Sequence, residues 1–326
     1  MSTNGIGREP PLPEQLVNRP SPATYPVRMR ILMSGGSGLI GTALCARLDA
    51  DGHTVARLVR RAPKDGEFRW DPVAGTVDLA AFEGCDAVIN LSGAGIGDRR
   101  WTAEYKDELL SSRLLATELL AATMASLERK PQVFLSGSAI GWYGDRGDER
   151  LDELSAPGDD FLSDLCQQWE GATAAAEKES IRTVHLRTGI VLSKRGGALK
   201  KQLPLFKLGL GGRFGNGHQW QSWISIDDVV GAISHLLSSE VCGAVNLTAP
   251  NPVTNIEFTS MLAQALHRPA FLPVPSFGPK LVLGSELVES LLLGGQRVLP
   301  TALQRYGFEF QHPTLDVALD AVLHSS

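Results

Sequence analysis

The stretch SGGSGLIG, from Ser34 to Gly41, decides the fold. It follows an apolar run that reads as a strand from about Arg28 and leads into Leu39 to Asp51, a run rich in Ala and Leu. Gly52 stands behind this run, where a helix would end. A strand that runs directly into glycines and then into a helix predicts a βα unit with a tight turn at its centre.

The three glycines Gly35, Gly38 and Gly41 have the spacing G-x-x-G-x-x-G. Gly35 allows the tight turn, Gly38 lets the backbone approach a pyrophosphate, and Gly41 lets the helix pack closely on the strand. Free N–H groups at the helix start would hold the anion. We therefore predict a dinucleotide cofactor bound by Gly35, Ser37, Gly38, Leu39, Ile40 and Gly41. A glycine-rich loop without a ligand is the alternative.

Further apolar runs alternate with amphipathic segments along the chain. Strands are predicted in HTVARLVRR, CDAVINLSGAG, PQVFLSGSA, RTVHLRTGIVL and GAVNLTAP, and long helices over Thr102 to Leu127 and about Asp159 to Lys178. Strands that alternate with helices predict an α/β fold, a doubly wound parallel Rossmann sheet buried on both faces, with a smaller C-terminal substrate lobe.

The domain organisation follows from changes in composition. Residues 1–28 are Pro-rich and polar and read as a flexible tail, and residues 29–250 read as the NAD(P)-binding domain with a substrate-loop insertion at about 193–225. Residues 251–326 read as a small helical lobe.

Composition excludes several function classes. The chain has 326 residues, a net charge of −5 and four cysteines without a C-x-x-C, which indicates reduced thiols, a cytoplasmic location and no metal site. No apolar run approaches membrane-spanning length, and bulk charge gives no footprint for nucleic acid. The expected partner is a small-molecule substrate, and the sequence leaves a homo-oligomer open.

The end of the second strand bears on the choice of dinucleotide. An NAD site usually has an acid there for the ribose 2′-hydroxyl, whereas this strand ends in Leu58-Val59-Arg60-Arg61. An arginine can pair with a 2′-phosphate. We therefore predict that NADP(H) is preferred over NAD(H), with Val59 and Arg60 at the cofactor; a solvated basic turn is the alternative.

Several spans together resemble a known family: SGGSGLIG, AVINLSGAGI, SGSAIGWYG, RTGIVLS and SWISIDDVV. They are similar to extended short-chain dehydrogenase/reductases of the NAD-dependent epimerase/dehydratase family. NLSGAGIGDRRW, LLSSRLLAT, GLGGRFGNGHQWQSWISIDD, NLTAPNPVTNIEF and LLLGGQRVLP resemble its subgroup with a short C-terminal domain of unknown function. The resemblance extends from about Met29 to Leu323.

The resemblance implies catalysis by a serine and a Tyr-x-x-x-Lys pair. Ser138 matches the serine, and Tyr143 matches a tyrosine found shortly after it. The positions of the pair itself hold Leu162 and Cys166, neither of which can exchange a proton as the pair does. This departure leaves open a catalytically degenerate NADP(H)-binding sensor or partner-binding protein, beside an oxidoreductase or epimerase for a small carbonyl or hydroxyl compound.

The resemblance also places further residues at the two ligands. Leu91 and Ser92 should border the adenosine or ribose, Glu108 and Arg113 the ribose or phosphates, and Val191 the nicotinamide; a solvated face of paired charges is the alternative for the two charged residues. His218, Gln219, Trp220 and Trp223 are candidate substrate residues. Gln221 stands where sugar-nucleotide members tend to have an arginine, which argues against nucleotide-sugar substrates. Asp227 and Asp228 read as helix-capping residues.

Overall fold

The computed structural model describes residues 28–270, 273–274, 277, 280–281 and 284–324. The predicted N-terminal tail therefore lies outside the described residues, apart from Arg28. Among the described helices, none combines the length and apolar character that a bilayer crossing needs.

The described residues contain short strands and helices in alternation. The strands are β1 Arg30–Ser34, β2 Thr54–Val59, β3 Glu67–Asp71, β4 Thr76–Val77, β5 Ala87–Asn90, β6 Val133–Ala139, β7 Arg150–Leu151, β8 Arg182–Thr188, β9 Ile190–Leu192, β10 Trp220–Gln221, β11 Trp223–Ser225, β12 Gly243–Leu247, β13 Val253–Thr254 and β14 Arg297–Val298. The α-helices are α1 Leu39–Ala50, α2 Ala103–Ser126, α3 Phe161–Gly171, α4 Ala174–Lys178, α5 Gly197–Lys207, α6 Ile226–Ser238, α7 Asn255–Ala265, α8 Ser285–Val288, α9 Thr301–Arg305 and α10 Leu315–His324. Single 3-10 turns cover Leu79–Phe82 and Ile140–Tyr143, and a π-helical turn covers Glu289–Leu293.

Eight strands form one sheet in the order β12-β8-β6-β5-β1-β2-β3-β4. All neighbours are parallel except β3 and β4, which pair antiparallel. Strand order reverses between β1 and β5, and ligands of doubly wound sheets bind at such a switch point. The predicted fold class is confirmed.

Apolar helix faces cover both sides of this sheet. On one side, Leu44 of α1 and Ile233 of α6 pack with Ile31 and Val133 of the strands. On the other side, Leu120 and Met124 of α2 pack against Phe134. Burial on both sides explains why these strands read as continuous apolar runs rather than alternating ones.

Several elements differ from the sequence expectation; the strand predicted over RTVHLRTGIVL, for example, is divided into β8 and β9, and β9 pairs with β11 outside the main sheet. The helix predicted over Asp159 to Lys178 is two helices, because the Thr173 hydroxyl bonds the carbonyl of Glu170 at 2.7 Å just after Gly171 and ends the first one. Strands β3 and β4 were not predicted, since their short runs are interrupted by charges and turn residues.

The C-terminal segment is built into the body of the molecule. Leu319 and Val322 of α10 pack with Phe258 of α7 and with Leu192 and Trp223 of the preceding region. Asp228 is fully buried and accepts the backbone N–H groups of Gln311 at 2.7 Å and His312 at 3.0 Å. The cap of α6 is Ser225, whose hydroxyl accepts from the Asp228 backbone N–H at 3.0 Å, so the helix-capping role expected of Asp227 and Asp228 is corrected and the Asp228 carboxylate anchors the C-terminal segment.

Candidate functional site

The turn between β1 and α1 depends on glycine at two positions. Gly35 has a φ of +73°, and a Cβ there would lie 2.5 Å from the carbonyl carbon of Leu91. A Cβ at Gly41 would lie 2.2 Å from the Gly35 carbonyl oxygen. Both positions therefore require glycine for the approach of β1, β5 and α1 to one another.

Gly38 differs from these two glycines because it faces space. A Cβ there would meet only the Gly35 carbonyl oxygen, at 3.3 Å. Gly38 is the N-cap residue of α1, and no side chain caps this helix start. The first backbone N–H groups of α1 are thus left without a side-chain acceptor beside an open volume, as an anion-binding helix start requires.

A cavity of about 720 Å³ lies in front of this turn, between the ends of β1, β2 and β5 and the first half of α2. We call it the cofactor cavity. The predicted residues that line it are Gly35, Ser37, Gly38, Val59, Arg60, Leu91, Ser92 and Glu108. A second cavity of about 550 Å³ shares Ser37 and Gly38 with the first and adds Leu39, Lys194 and Arg195.

Other predicted cofactor residues lie behind these walls. Ile40 and Val191 pack against the apolar core, and Gly41 is pressed against Gly35. Arg113 is 9% exposed and donates to the carbonyl oxygens of Leu109 at 2.9 Å and Ala94 at 3.0 Å. Burial lowers the pKa of its guanidinium, which stacks on Trp169 with 5.0 Å between the charged carbon and the ring centroid. In this structure Arg113 therefore braces the loop after β5.

An ion cluster lies at the β2 end of the cofactor cavity. Glu67 of β3 accepts two hydrogen bonds from Arg61, each 2.7 Å long, and one from the Lys64 backbone N–H at 2.9 Å. The Arg57 guanidinium lies 3.7 Å from the same carboxylate. The hydrogen bond from Arg61 is the largest cause that lowers the pKa of Glu67 to about 2.

Arg60 stands beside this cluster without joining it. It is exposed, lines the cavity and makes no ion pair with another described residue. Glu108, on the opposite wall, pairs with Arg99 at 2.9 Å. This end of the cavity therefore has three arginines and one carboxylate, which leaves it with a net positive charge.

The region around Ser138 forms a closed network of polar side chains. Ser138 donates to Glu170 at 2.7 Å, and Arg187 binds both Glu170 oxygens at 2.8 and 2.9 Å. Arg187 also donates to the Tyr143 hydroxyl at 3.1 Å, and this hydroxyl donates to Asn246 at 2.7 Å. We call these five residues the Glu170 network.

Tyr143 is enclosed within the Glu170 network. Its side chain is fully buried, and burial raises the pKa of its hydroxyl to about 12 despite the nearby Arg187. Its one proton is used inside the network. The enclosure of Tyr143 argues against the catalytic role expected of it, because a phenol must reach the substrate to exchange its proton.

Leu162 and Cys166 face an apolar cluster with Trp101, Tyr105 and Trp169. Cys166 is 1% exposed, and burial raises the pKa of its thiol to about 12. Neither side chain brings charge or proton-transfer capacity to this part of the molecule.

The candidate substrate residues fall into different environments. His218 is exposed, whereas Gln219 donates to the carbonyls of Phe214 at 3.2 Å and Leu292 at 2.6 Å. Trp220 donates to Asp148 at 2.7 Å and is covered by the Arg297 guanidinium at 4.1 Å. Trp223 is fully buried in the core, so its assignment to a substrate site is corrected.

Sequence reasoning missed several residues of the cavity and of the buried network, some on the unpredicted strand β3 and others on predicted elements. Glu67, Trp70 and Pro72 line the cofactor cavity from the β3 strand and its turn, and Ser111 and Ser112 line it from α2. Glu170 and Arg187 carry the buried network. The signal in the sequence was that Arg187 lies within the predicted strand RTVHLRTGIVL, where a buried charged residue needs a partner.

Comparisons with known proteins agree with this architecture. The NAD-dependent epimerase/dehydratase family matches residues 31–247, and a domain of unknown function, DUF1731, matches residues 274–322. An epimerase family protein of Mycobacterium leprae is 44% identical over 291 residues, which cover 89% of this chain and 94% of that protein. The human epimerase family protein SDR39U1 is 39% identical over 299 residues, which cover 90% and 100%.

Solved structures give the same result. The crystal structure of human SDR39U1 (isoform 2) with NADPH matches with a TM-score of 0.84 and 37% identity, covering 90% of this chain and 99% of that one. A nucleoside-diphosphate sugar epimerase of Corynebacterium glutamicum matches with a TM-score of 0.73 and 36% identity, covering 91% and 58%. The resemblance drawn from the sequence motifs is confirmed. The chain belongs to the NAD-dependent epimerase/dehydratase family, and it carries the subgroup's C-terminal domain.

Proposed function

We propose that the chain binds NADP(H) in the cofactor cavity and is an oxidoreductase or epimerase for a small carbonyl or hydroxyl compound. The observation that carries the proposal is the combination of an uncapped helix start at Gly38 with a positively charged cavity end at Arg57, Arg60 and Arg61. The two features suit the two phosphate groups of NADP(H), the diphosphate and the 2′-phosphate.

The residues present fit this cofactor. The glycines at positions 35 and 41 shape a turn that larger residues would fill, and the first N–H groups of α1 would hold the diphosphate. Arg60 would pair with the 2′-phosphate, and Leu91 and Ser92 would border the ribose. The NADPH in the similar human structure supports the same choice. When bound, NADP(H) supplies or accepts a hydride.

On the substrate side, Ser138 is the residue that we retain as catalytic. It lies near the end of β6, is 4% exposed, and its hydroxyl donates a hydrogen bond to Glu170. Its oxygen is thereby left as a hydrogen-bond acceptor, which suits the hydroxyl group of a substrate better than a carbonyl oxygen.

A second candidate function is NADP(H) binding without turnover, as in a sensor or a partner-binding protein. The burial of Tyr143 favours it, together with the apolar Leu162 and Cys166 at the family's Tyr-Lys positions. The two candidates share the cofactor and differ only in whether a substrate is converted.

One experiment tests the shared part and then separates the two candidates. NADPH should raise the melting temperature more than NADH at equal concentration, since a ligand at about 100 times its Kd adds about 2.7 kcal/mol of stability. Equal shifts, or none, would contradict the proposal. The NADPH complex is then mixed with carbonyl compounds and the NADP⁺ complex with hydroxyl compounds, while nicotinamide absorbance and the composition of the products are followed. A net change in absorbance or an epimerised product favours the enzyme, and the absence of both across the panels favours the binder.

Nucleotide sugars are expected to bind weakly or not at all. Gln221 is a neutral amide in β10, and a diphosphate brought into a cleft needs a cation with a suitable geometry. Arg297 is engaged with Trp220, and Arg213 is exposed. Calorimetric titration of the NADPH complex with UDP-glucose and UDP-galactose checks this, and micromolar binding of either would refute it.

A further inference from the structure

The ion cluster at the end of the cofactor cavity contains a carboxylate, Glu67. NAD sites usually have such an acid at the end of the second strand, where β2 of this chain has none. Glu67 lies on β3, the strand next to β2. It lines the cofactor cavity together with Val59, Arg60 and Arg61. Register pairs Arg57 of β2 with Glu67 of β3. The neighbouring strand therefore brings a carboxylate to the end of the cavity where the ribose of a dinucleotide lies in folds of this type.

Every described contact of this carboxylate is with a donor of the protein. Arg61 binds both oxygens at 2.7 Å, and the Lys64 N–H binds one of them at 2.9 Å. The Glu67 side chain is only 3% exposed, whereas the Arg61 and Arg57 side chains are about half exposed. The acid is covered by the arginines, and the arginines face the solvent.

Without its arginine partner, the Glu67 carboxylate would favour NAD(H) over NADP(H). It would accept a hydrogen bond from the ribose 2′-hydroxyl of NAD(H) and repel the 2′-phosphate of NADP(H). The bidentate Arg61 takes one acceptor position on each oxygen, the Lys64 N–H takes a second position on Oε2, and the two arginines neutralise the charge. The same side chain can thus oppose or permit NADP(H), depending on its arginine partner.

We propose that Glu67 is a selectivity-determining residue, kept by Arg61 from accepting the 2′-hydroxyl of NAD(H) while it holds Arg61 at the cavity end. This inference rests on the proposed binding of a nicotinamide dinucleotide. It differs from that proposal by assigning selectivity to the ion pair between Arg61, just after β2, and Glu67 of β3, and not to Arg60 alone.

The pairing predicts an unusual effect of removing a cation. Arg61→Ala should weaken NADPH binding because a positive charge is lost, and it should strengthen NADH binding because Glu67 becomes a free acceptor. Changing one charged hydrogen bond shifts a Kd by about tenfold. The gain for NADH depends on the carboxylate, so the double variant Arg61→Ala/Glu67→Gln should lose it.

The test is calorimetric titration of NADPH and NADH into the full-length wild type, Arg61→Ala, Arg61→Gln, Glu67→Gln and the double variant. Arg61→Ala and Arg61→Gln are the two unlocking variants, by which we mean variants that free the Glu67 carboxylate; the glutamine amide cannot make the bidentate pair. Arg47→Ala breaks an ion pair at the far end of α1, with Asp51 at 2.7 Å, and is the matched control. Ligand-free melting curves identify any variant that has unfolded.

Tighter NADH binding by an unlocking variant, lost in the double variant and absent in Arg47→Ala, supports the inference. Unchanged NADH binding in both folded unlocking variants overturns it, as does a gain that survives in the double variant. If the wild type binds neither dinucleotide, the proposed function itself fails. If it binds both and only the variant pattern is missing, the proposed function stands and this inference alone is wrong.

Discussion

Two polar regions lie at the carboxyl edge of the same sheet, and they use their charges in different ways. At the end of β2, Arg57, Arg60 and Arg61 outnumber Glu67, and the arginines are directed to an open cavity. In the Glu170 network, the polar side chains are buried and bond to one another and to the backbone carbonyls of Glu153 and Leu299. An excess of charge that faces open space indicates a ligand, whereas a matched buried set indicates a structural role, with the Ser138 oxygen as the one member of this set that we propose for the substrate.

Residues that belong to motifs of the same family can have different surroundings in the structure. Gly38 and Tyr143 both belong to motifs of the family, yet one faces the cavity and the other is enclosed. The variants below test whether each region behaves as its surroundings indicate, and they run from the largest expected effect to the smallest.

Arg187→Met should have the largest effect, and it should act on stability. The variant leaves the Glu170 carboxylate buried without its bidentate partner, and breaking a buried pair in this way costs about 3–5 kcal/mol. Urea unfolding measures the loss. NADPH affinity of the folded fraction should be close to that of the wild type; a large loss of affinity at unchanged stability would place the network in the binding site.

Gly38→Val should act on binding and spare the fold. The branched side chain would occupy the space in front of α1, where the diphosphate is proposed to lie, and we expect at least about a hundredfold weaker NADPH binding, or about 2.7 kcal/mol. Calorimetry gives the Kd, and the ligand-free melting temperature serves as the control. Retained binding would mean that this turn is only structural.

Arg60→Ala should narrow the difference between NADPH and NADH. Loss of the arginine removes one charged partner of the 2′-phosphate, which corresponds to about a tenfold change in the Kd for NADPH and little change for NADH. The two melting shifts, measured side by side, give the result. An unchanged gap would assign the 2′-phosphate to other residues.

Tyr143→Phe should have the smallest effect at neutral pH. It removes one hydroxyl from the network and should cost about 1 kcal/mol of stability. Any turnover found in the wild type should persist, because Tyr143 is enclosed. Loss of turnover with unchanged cofactor binding would restore Tyr143 to catalysis.

The same variant tests the pKa of Tyr143. Burial raises this pKa to about 12, so above about pH 10 the unfolded chain releases the proton while the folded protein retains it. Stability of the wild type should therefore fall as pH rises through this interval, and more steeply than that of Tyr143→Phe. Parallel pH profiles would contradict the burial of the hydroxyl.

Much of the fold follows from patterns that the sequence makes visible. Gly35 and Gly41 have roles that spacing predicts, because steric demands at a βα turn are local. The helix predicted over Thr102 to Leu127 is observed as Ala103–Ser126, and the Thr102 hydroxyl caps it by accepting from the Tyr105 N–H at 3.2 Å.

The contacts between polar side chains could not be predicted in this way, because strands that are distant in the chain bring these side chains together. Arg187 meets Glu170 and Tyr143, and Glu67 meets Arg57, only through the order and register of the sheet. Trp223 was misassigned for a related reason, since an aromatic residue in a glycine-rich region can line a cleft or fill a core with the same sequence around it.

Fragments of the cofactor test the central claim most directly, because they address the β2 end of the cavity separately from the rest. The wild type is titrated by calorimetry with 2′,5′-ADP, 5′-AMP and nicotinamide mononucleotide. We predict clear binding of 2′,5′-ADP, at least about tenfold weaker binding of 5′-AMP, and the weakest binding for nicotinamide mononucleotide, because charge recognition lies at the arginine end. Equal affinities for 2′,5′-ADP and 5′-AMP, or tighter binding of nicotinamide mononucleotide than of either, would contradict the account.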